Sequence, residues 1–567
     1  MELLGGVFRT RNWIIIAFAV LAVLLGLWGF SRCSVSDCQT TDFPDKLFRT
    51  VDLIRLNTHF TLRNDPWQLV LAQLMMPMAL VFGAFRLFLS NMRRDVKVVM
   101  TRRMRGHVIV CGIGDTGRHI AEHLADAGHK VVAIASNNQE PNALICERRG
   151  IVVLQGDGMD AALLKIAGLK RARSLLIACG SDATNIEIGL RADAASSKRN
   201  HADPLTICVE LRNAWLYNQI VTQRSRLNSS AASQFRLFNL NANAARLLLR
   251  SEGFTRALHA AHPTAPHLLV VGQGQTLGEV IVQAIECIFA KPDCQFSVTI
   301  VGPHAKAMLE GLLLRFPGLS DSANVVAQDY AFDDNARWPD IEALIAKDEP
   351  FAAVIDLEDE VATMKAALRF RRIFDSAGLL QTPIYARVWQ QNRLGAFLQD
   401  MERDPSQPER VAVFGDLETL TEADQLLEQQ LDILATSTHD AYRASTALDV
   451  PGWSNLSEEM KQSNRAFADH MPIKLDMIGL QMTSGNLPME LSDMQVEELA
   501  RAEHLRWSQS LKLRGWKHGP HSDIGKMHPL LKDWQDLDDA AKETNREMVR
   551  RIPAIANAAG YKVVARE

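Results

Sequence analysis

At 567 residues, with 62 basic and 66 acidic side chains and a formal net charge of −4, the chain is too long for one hydrophobic core. It also lacks the basic excess that a nucleic-acid partner demands, so none is expected. A composition 47% apolar and 23% charged is that of folded protein, on the order of three to four domains, not of a disordered tail.

The N-terminal residues 1–12 precede an uncharged apolar stretch at 13–30, "WIIIAFAVLAVLLGLWGF". A second span, at 67–90, is apolar over 67–89 apart from Gln68, Gln73 and Arg86. Each is near the roughly 20 residues a helix needs to cross a bilayer. No small-residue cleavage site follows Phe30, so the first reads as an uncleaved span and not a signal peptide. The basic linker 91–105 holds Arg93, Arg94, Lys97, Arg102, Arg103 and Arg105, which predicts an inner (plasma) membrane protein with both termini cytoplasmic. The loop 31–66 is then external, and Cys33 and Cys38 are a disulfide candidate there. The other six cysteines, scattered over the cytoplasmic part, read as buried free thiols. Within the loop, Leu47, Phe48, Val51 and Ile54 recur at helical spacing and predict a short pore-helix-like segment. A potassium filter is a T-V-G-Y-G ring of carbonyls, whereas the corresponding place reads "LNTHFTLRND". A side-chain-lined pore and a non-conducting anchor both remain open, with Thr58, Gln68 and Gln73 as pore-lining or helix-contact residues.

From Gly106 strands and helices alternate: "HVIVCG", "DTGRHIAEHLADAG", "KVVAIA", "PNALICERRG", "IVVLQGD", "MDAALLKIAG", "SLLIACG", "DATNIEIGLRADAA". That order predicts an α/β Rossmann-like parallel sheet. Gly112, Gly114 and Gly117 form G-x-G-x-x-G, a tight turn, a close phosphate approach and a helix packing point, with Asp115 and Thr116 at the helix N-terminus. The second strand ends in Ala135 and Ser136, where an acid would normally bind the ribose of NAD. NAD is therefore disfavoured, with Ser136 or Asn137 a weaker substitute; an adenine nucleotide bound mainly through phosphate, and no ligand at all with the glycines only making the turn, both stay open. His119 to His123 spells H-x-x-E-H. With no third ligand suggested nearby, it reads as a surface helix bearing two histidines, and no metal is expected.

"GDGMDAALLKIAGL", "RARSLLIACGSDATN" and "NANAARLLLRSEG" resemble the RCK family, regulators of potassium conductance, over residues 106–250. The resemblance implies a nucleotide pocket lined by the glycine turn and Asp157 and bordered by Asp182. Its ligand would be an adenine nucleotide or a nucleotide second messenger. "HLLVVGQGQTLGEVIVQAIE" repeats the turn with Gly272, Gly274 and Gly278, and residues 264–436 resemble a diverged second copy with a structural or allosteric role. "EDEVATMKAALRFRRIF" there reads as a surface helix. Tandem copies imply a homo-oligomer, a tetramer with eight such domains in a ring.

Residues 437–567 read as a helical lead-in followed by a mostly α-helical module that resembles the RyR domain. The features are His504 and Trp507, then "GWKHG", "MHPLL", "NR" and "AAGY". His504, Trp507, Trp516, His518 and Arg546 are its ligand candidates, aromatic plates beside cations being suited to a base and a phosphate; the rival role for the tryptophans is as core anchors. No nucleophile–base pair or paired carboxylates appear, so no enzyme is expected. The chain thus reads as a ligand-gated two-span channel or channel-like effector in a lipid bilayer, sensing a small nucleotide. The alternative is a non-conducting, membrane-anchored regulatory subunit of a separate potassium transporter.

Overall fold

The computed structural model describes residues 2–32, 42–55, 66–136, 140–196, 204–213, 216–217, 233–261, 265–288, 295–332, 338–389, 410–426, 430–445, 449–453, 456 and 458–566. The chain divides into two compact units, Met1–Arg103 and Met104–Glu567. Cys33, Cys38, Thr58, Asn137 and Cys294 lie outside the described residues.

In the first unit, helix Glu2–Arg32 covers the first apolar stretch, and helix Trp67–Arg103 runs from the second through the basic residues. Among the described residues, Trp67–Ala84 is long and apolar enough to cross a membrane, with mean hydropathy 1.5; Ala17–Arg32 is a shorter apolar segment. The predicted loop helix is present at Phe43–Asp52, followed by a 3-10 turn at Leu53–Arg55. Glycine sets the packing. A Cβ on Gly26 would lie 2.4 Å from Thr50, and one on Gly29 would lie 2.6 Å from Leu69, so larger residues would push the helices apart. Gln68 and Gln73 are buried in this helix contact, while Val20, Leu24, Leu74, Val81 and Phe82 face outward.

The second unit contains two six-stranded parallel sheets. The first comprises β1 (Val108–Cys111), β2 (Val131–Ala135), β3 (Val152–Gln155), β4 (Ser174–Ile177), β5 (Leu205–Glu210) and β6 (Ser233–Phe238), in the order β3-β2-β1-β4-β5-β6. The second comprises β7 (His267–Gly272), β8 (Ser297–Gly302), β9 (Asn324–Asp329), β10 (Ala352–Asp356), β11 (Ile384–Arg387) and β12 (Val411–Phe414). Its order, β12-β11-β10-β7-β8-β9, is the same topology counted from its own first strand. Alternate residues of each strand face opposite layers of helices: Val108 and Val110 enter one core, Ile109 and Cys111 another. Strands β5, β6 and β9 carry weak sequence signals. β9 is an edge strand whose residues are exposed or half-buried, so no apolar run announces it. The thiols of Cys111, Cys146 and Cys208 are free and buried, as expected, whereas the free thiol of Cys179 is only half-buried.

Two expectations change. Helix Glu360–Ser376 is no simple surface helix, because Phe370, Arg371 and Phe374 are buried. Arg371 donates to the carbonyls of Thr382 and Leu379 at 2.7 and 2.6 Å, bracing the turn that follows. Helix Leu240–Arg250, expected with the first domain, buries Leu240, Ala244 and Leu248 in the core under the second sheet. It packs there because β6 closes the first sheet and leaves the helix's apolar face for the next layer.

The C-terminal part is mostly helical, as predicted, with antiparallel β13 (Leu480–Ser484) and β16 (Tyr561–Ala565), and parallel β14 (Lys517–His518) and β15 (Met527–His528). Two buried ion clusters hold it. Asp432 accepts from Arg246 at 2.9 Å and from Arg465 at 2.6 Å, and Arg246 also donates to Asp469 at 2.8 Å. Glu503 pairs with Arg506 and Lys474, each at 2.6 Å. Burial alone would raise the Glu503 carboxyl, but these two cations hold it down to about 2.

Asp432→Ala removes the carboxylate that two buried guanidiniums share, with Asp469 still holding Arg246, and should cost about 3–5 kcal/mol in urea unfolding of the detergent-solubilised chain. Stability owed to Glu503 is present above the ordinary carboxylate pKa of about 4.3 and is lost as pH falls towards 2. The deficit of Glu503→Gln relative to the parent should therefore shrink between those pH values. A deficit that stays constant would assign the cost to packing.

Candidate functional site

The glycine turn connects β1 to helix Asp115–Asp126. Gly112 has φ +84°, and a Cβ on it would meet the Ala178 carbonyl at 2.6 Å. A Cβ on Gly117 would lie 1.8 Å from the Gly112 carbonyl oxygen. Helix and turn can approach this closely only because both positions lack side chains. Gly114 is the N-cap and offers no side chain, so the first-turn N–H groups stay available to an anion. From outside, Asn142 Nδ2 donates to the Ile113 carbonyl at 2.8 Å and pins the turn.

Around this helix end the residues take distinct roles. Thr116 is buried, and its hydroxyl accepts from Arg212 at 3.4 Å, which brings a cation to the helix N-terminus. Arg212 is the residue sequence reasoning missed; it follows β5, nearly a hundred positions away, and no local pattern marks it. Its Nε donates to buried Glu210 at 3.1 Å. Burial pushes the Glu210 carboxyl up, and Arg212 opposes that. Asp115 is exposed at the first helical position, where a carboxylate accepts from hydroxyls or meets a cation and repels phosphate. Asp157, after β3, is exposed and accepts from the Met159 N–H at 2.8 Å. Asp182 is spent differently. Its carboxylate accepts from the N–H groups of Arg212 and Asn213 at 2.9 and 2.8 Å, which shapes the loop that carries Arg212. Ala135 is fully buried, and Ser136 is the first exposed side chain beyond β2, so a hydroxyl stands where an acid would bind ribose.

In the second sheet the equivalent edge is filled from within. Gly272 has φ +124°, and a Cβ there would strike the Asp356 carbonyl at 1.9 Å. A Cβ on Gly274 would fall 2.0 Å from the Asp356 carboxyl, and one on Gly278 makes ordinary contact with Leu312 at 3.5 Å. Arg387, fully buried, donates to Thr276 at 3.2 Å and lies 4.0 Å from the Trp389 ring centre. Burial raises the Asp356 carboxyl and lowers the Arg387 guanidinium, to about 10.

The five candidates of the C-terminal module do not converge. His504 is buried, its Nε2 is 2.7 Å from the Lys532 carbonyl, and its ring lies between Trp507 and Trp534. Burial lowers its pKa, so it is a neutral core histidine. Arg546 donates to Glu497 at 2.7 Å and braces two helices, and His518 is exposed on β14. Trp507 and Trp516 do share a place. Both line a cavity of about 900 Å³ between β6, helix Gln275–Ile288 and helix Asp493–Leu513, with Arg236, Arg315, Arg514 and Lys526. Its cations have partners: Arg315 pairs with Glu279 at 2.8 Å, Arg514 with Glu286 at 2.6 Å, and Lys526 donates to the Arg514 carbonyl at 2.9 Å. Trp507 packs edge-on to His528 at 4.9 Å.

Family models match two parts of the chain. Residues 108–214 match the TrkA-N domain and residues 478–565 match the RyR domain. A protein of Methanothermus fervidus described as uncharacterized is 27% identical over 121 residues, 21% of this chain and 19% of that one. Potassium channel protein 1 of Methanocaldococcus jannaschii is 29% identical over 91 residues, 16% of this chain and 27% of that one. The chain thus matches about a fifth to a quarter of the length of these relatives. Among solved structures, GsuK bound to ADP covers 75% of this chain and 99% of its own, at 14% identity and TM-score 0.37. The GsuK channel bound to NAD covers 86% and 88%, at 12% identity and TM-score 0.37. Likeness of that degree says nothing about ligand. The chain carries a TrkA-N, RCK-like, domain on its first sheet and a RyR domain at its C-terminal end.

Proposed function

We propose that this chain is a nucleotide-responsive membrane protein of the potassium-channel kind, whose first sheet senses the ligand. The observation that carries the reading is the contrast between two edges of like topology. One presents a helix N-terminus without a side-chain cap, with Arg212 beside it and the Asp115 carboxylate turned to solvent; the other is filled by Asp356 and Arg387. An anion is drawn to the first by N–H groups, the helix dipole and a guanidinium together. Recognition rests on phosphate more than on ribose, because Ser136 replaces an acid, which favours an adenine nucleotide or related second messenger over NAD. The second sheet acts as a diverged RCK-like partner that transmits, and the RyR domain is a second sensor or a brace. No chemical step on the ligand is part of this reading.

The fuller form is a ligand-gated two-span channel, assembled as a tetramer in the inner membrane with both termini cytoplasmic. Ligand would favour one packing of the sheets over another, and the basic stretch ending at Arg103 would carry the change to the spans. The absence of a T-V-G-Y-G ring in the sequence favours the rival form, a non-conducting regulatory subunit of a separate transporter.

Calorimetric titration of the purified full chain with ADP, ATP and NAD tests the sensor. Gly114→Asp, which puts a carboxylate at the proposed phosphate seat, should weaken nucleotide binding by about 10- to 150-fold. Trp516→Ala should leave it within about 2-fold, well under the 1.4 kcal/mol that marks a tenfold change. Loss in Trp516→Ala alone would move the sensor to the RyR-side cavity, and no loss in either would remove both seats. Bilayer recording of the same protein separates the two forms: nucleotide-dependent unitary currents support the channel. Silence with co-purification of a larger membrane protein supports the subunit.

A further inference from the structure

The H-x-x-E-H run on helix Asp115–Asp126 acquires in three dimensions the third ligand that its neighbourhood in sequence lacks. His119 and His123 are four residues apart and share one helix face. Onto that face the short helix Leu417–Leu420, after β12 of the second sheet, brings Glu418. One carboxylate oxygen of Glu418 lies 3.2 Å from His123 Nε2, and the other lies 3.6 Å from His119 Nδ1. The three candidate ligand atoms all fall within 4.8 Å of one another.

Proton accounting shows what this arrangement lacks. The Thr421 hydroxyl donates to the Leu417 carbonyl at 2.6 Å, so it accepts from His123 Nδ1 at 3.1 Å. In neutral His123 the proton is then on Nδ1, and a bare Nε2 lone pair faces a carboxylate oxygen. Two acceptors at 3.2 Å repel unless positive charge lies between them. That spacing matches the edge of a tetrahedral zinc site, about 3.3 Å for metal–ligand bonds of about 2.0–2.1 Å. Thr421 plays the part an outer partner plays at such sites, fixing the tautomer and the ring.

We propose that His119, His123 and Glu418 bind a divalent transition ion, Zn²⁺ by preference, that staples the first sheet's nucleotide-turn helix to the second sheet. Imidazole with carboxylate selects zinc-like ions over Mg²⁺ or Ca²⁺, and three protein ligands leave a fourth position for water. Arg118 must adjust. It donates to His119 Nε2 at 2.9 Å, which puts that ring's proton on Nδ1. Metal at Nδ1 moves the proton to Nε2 and turns Arg118 away, while its other nitrogen keeps Glu122 at 2.9 Å. The site is one of coupling: its helix begins at the glycine turn, and its carboxylate belongs to the other sheet.

The test uses the chelator-treated full chain, titrated with ZnCl₂ against a chromogenic chelator, with CoCl₂ as a spectroscopic stand-in. One equivalent of Zn²⁺ per chain, a rise in Tm, and the intense visible band of tetrahedral Co²⁺ are expected. His123→Ala and Glu418→Gln should each abolish the band, and Thr421→Val should weaken uptake by about 10-fold. Glu418 is half exposed, so Glu418→Gln is the variant that keeps the fold, checked by far-UV circular dichroism. Zn²⁺ uptake unchanged in both ligand variants would overturn the assignment. So would no uptake by the parent, which would leave an imidazolium–carboxylate pair.

Discussion

Asp432 is the point on which the arrangement of the second unit turns. Its carboxylate holds Arg246, from the helix that leaves the first sheet, and Arg465, from the C-terminal module, both largely buried. Neither guanidinium would be tolerable at that depth alone, and burial works against the carboxylate as much as against its partners. The two cations win, and the Asp432 carboxyl is held far below the usual range. Because the three charges come from three stretches of chain, the cluster fixes where helix Leu240–Arg250 runs relative to the RyR-side helices. All three residues also line the 900 Å³ cavity, so that cavity's shape is a by-product of charge pairing.

The two sheets show how one topology can be used in opposite ways. Both place a glycine turn at the same edge, and both turns depend on missing side chains. In the first, the space that glycine opens remains for something else, and Arg212 is held beside it by Asp182 through the backbone. In the second, the chain spends the space on its own Asp356. The contrast is chemical and not architectural, which is why strand order alone could not have predicted it.

How much of this could be read from the sequence follows the range of the interactions. The turn at Gly112, Gly114 and Gly117 was legible because the helix's approach at Gly117 is to the Gly112 carbonyl, five positions back, although Gly112 itself also makes room for the distant Ala178 carbonyl. The loop helix at Phe43–Asp52 was legible from a repeat of similar length. Strand β9 was not, since an exposed edge leaves polar and apolar residues mixed. Arg212, Glu418 and the Asp432 cluster were invisible for a different reason: each acts on a partner reached only through the fold, and Thr421 meets His123 across 298 positions. The RyR-side candidates failed in the reverse direction. His504 and Arg546 have the residue types of a binding site, and burial or a carboxylate neighbour had already engaged them.

The Asp356 carboxyl beside Gly274 has a consequence best stated as concentration. A group tethered at the end of its own strand competes for that space at an effective concentration in the millimolar range or above, which a dilute signalling solute does not reach. The second edge is in that sense permanently saturated. Of the two edges of like topology, only the first then leaves its space open to a solute, and the second is closed by the chain itself.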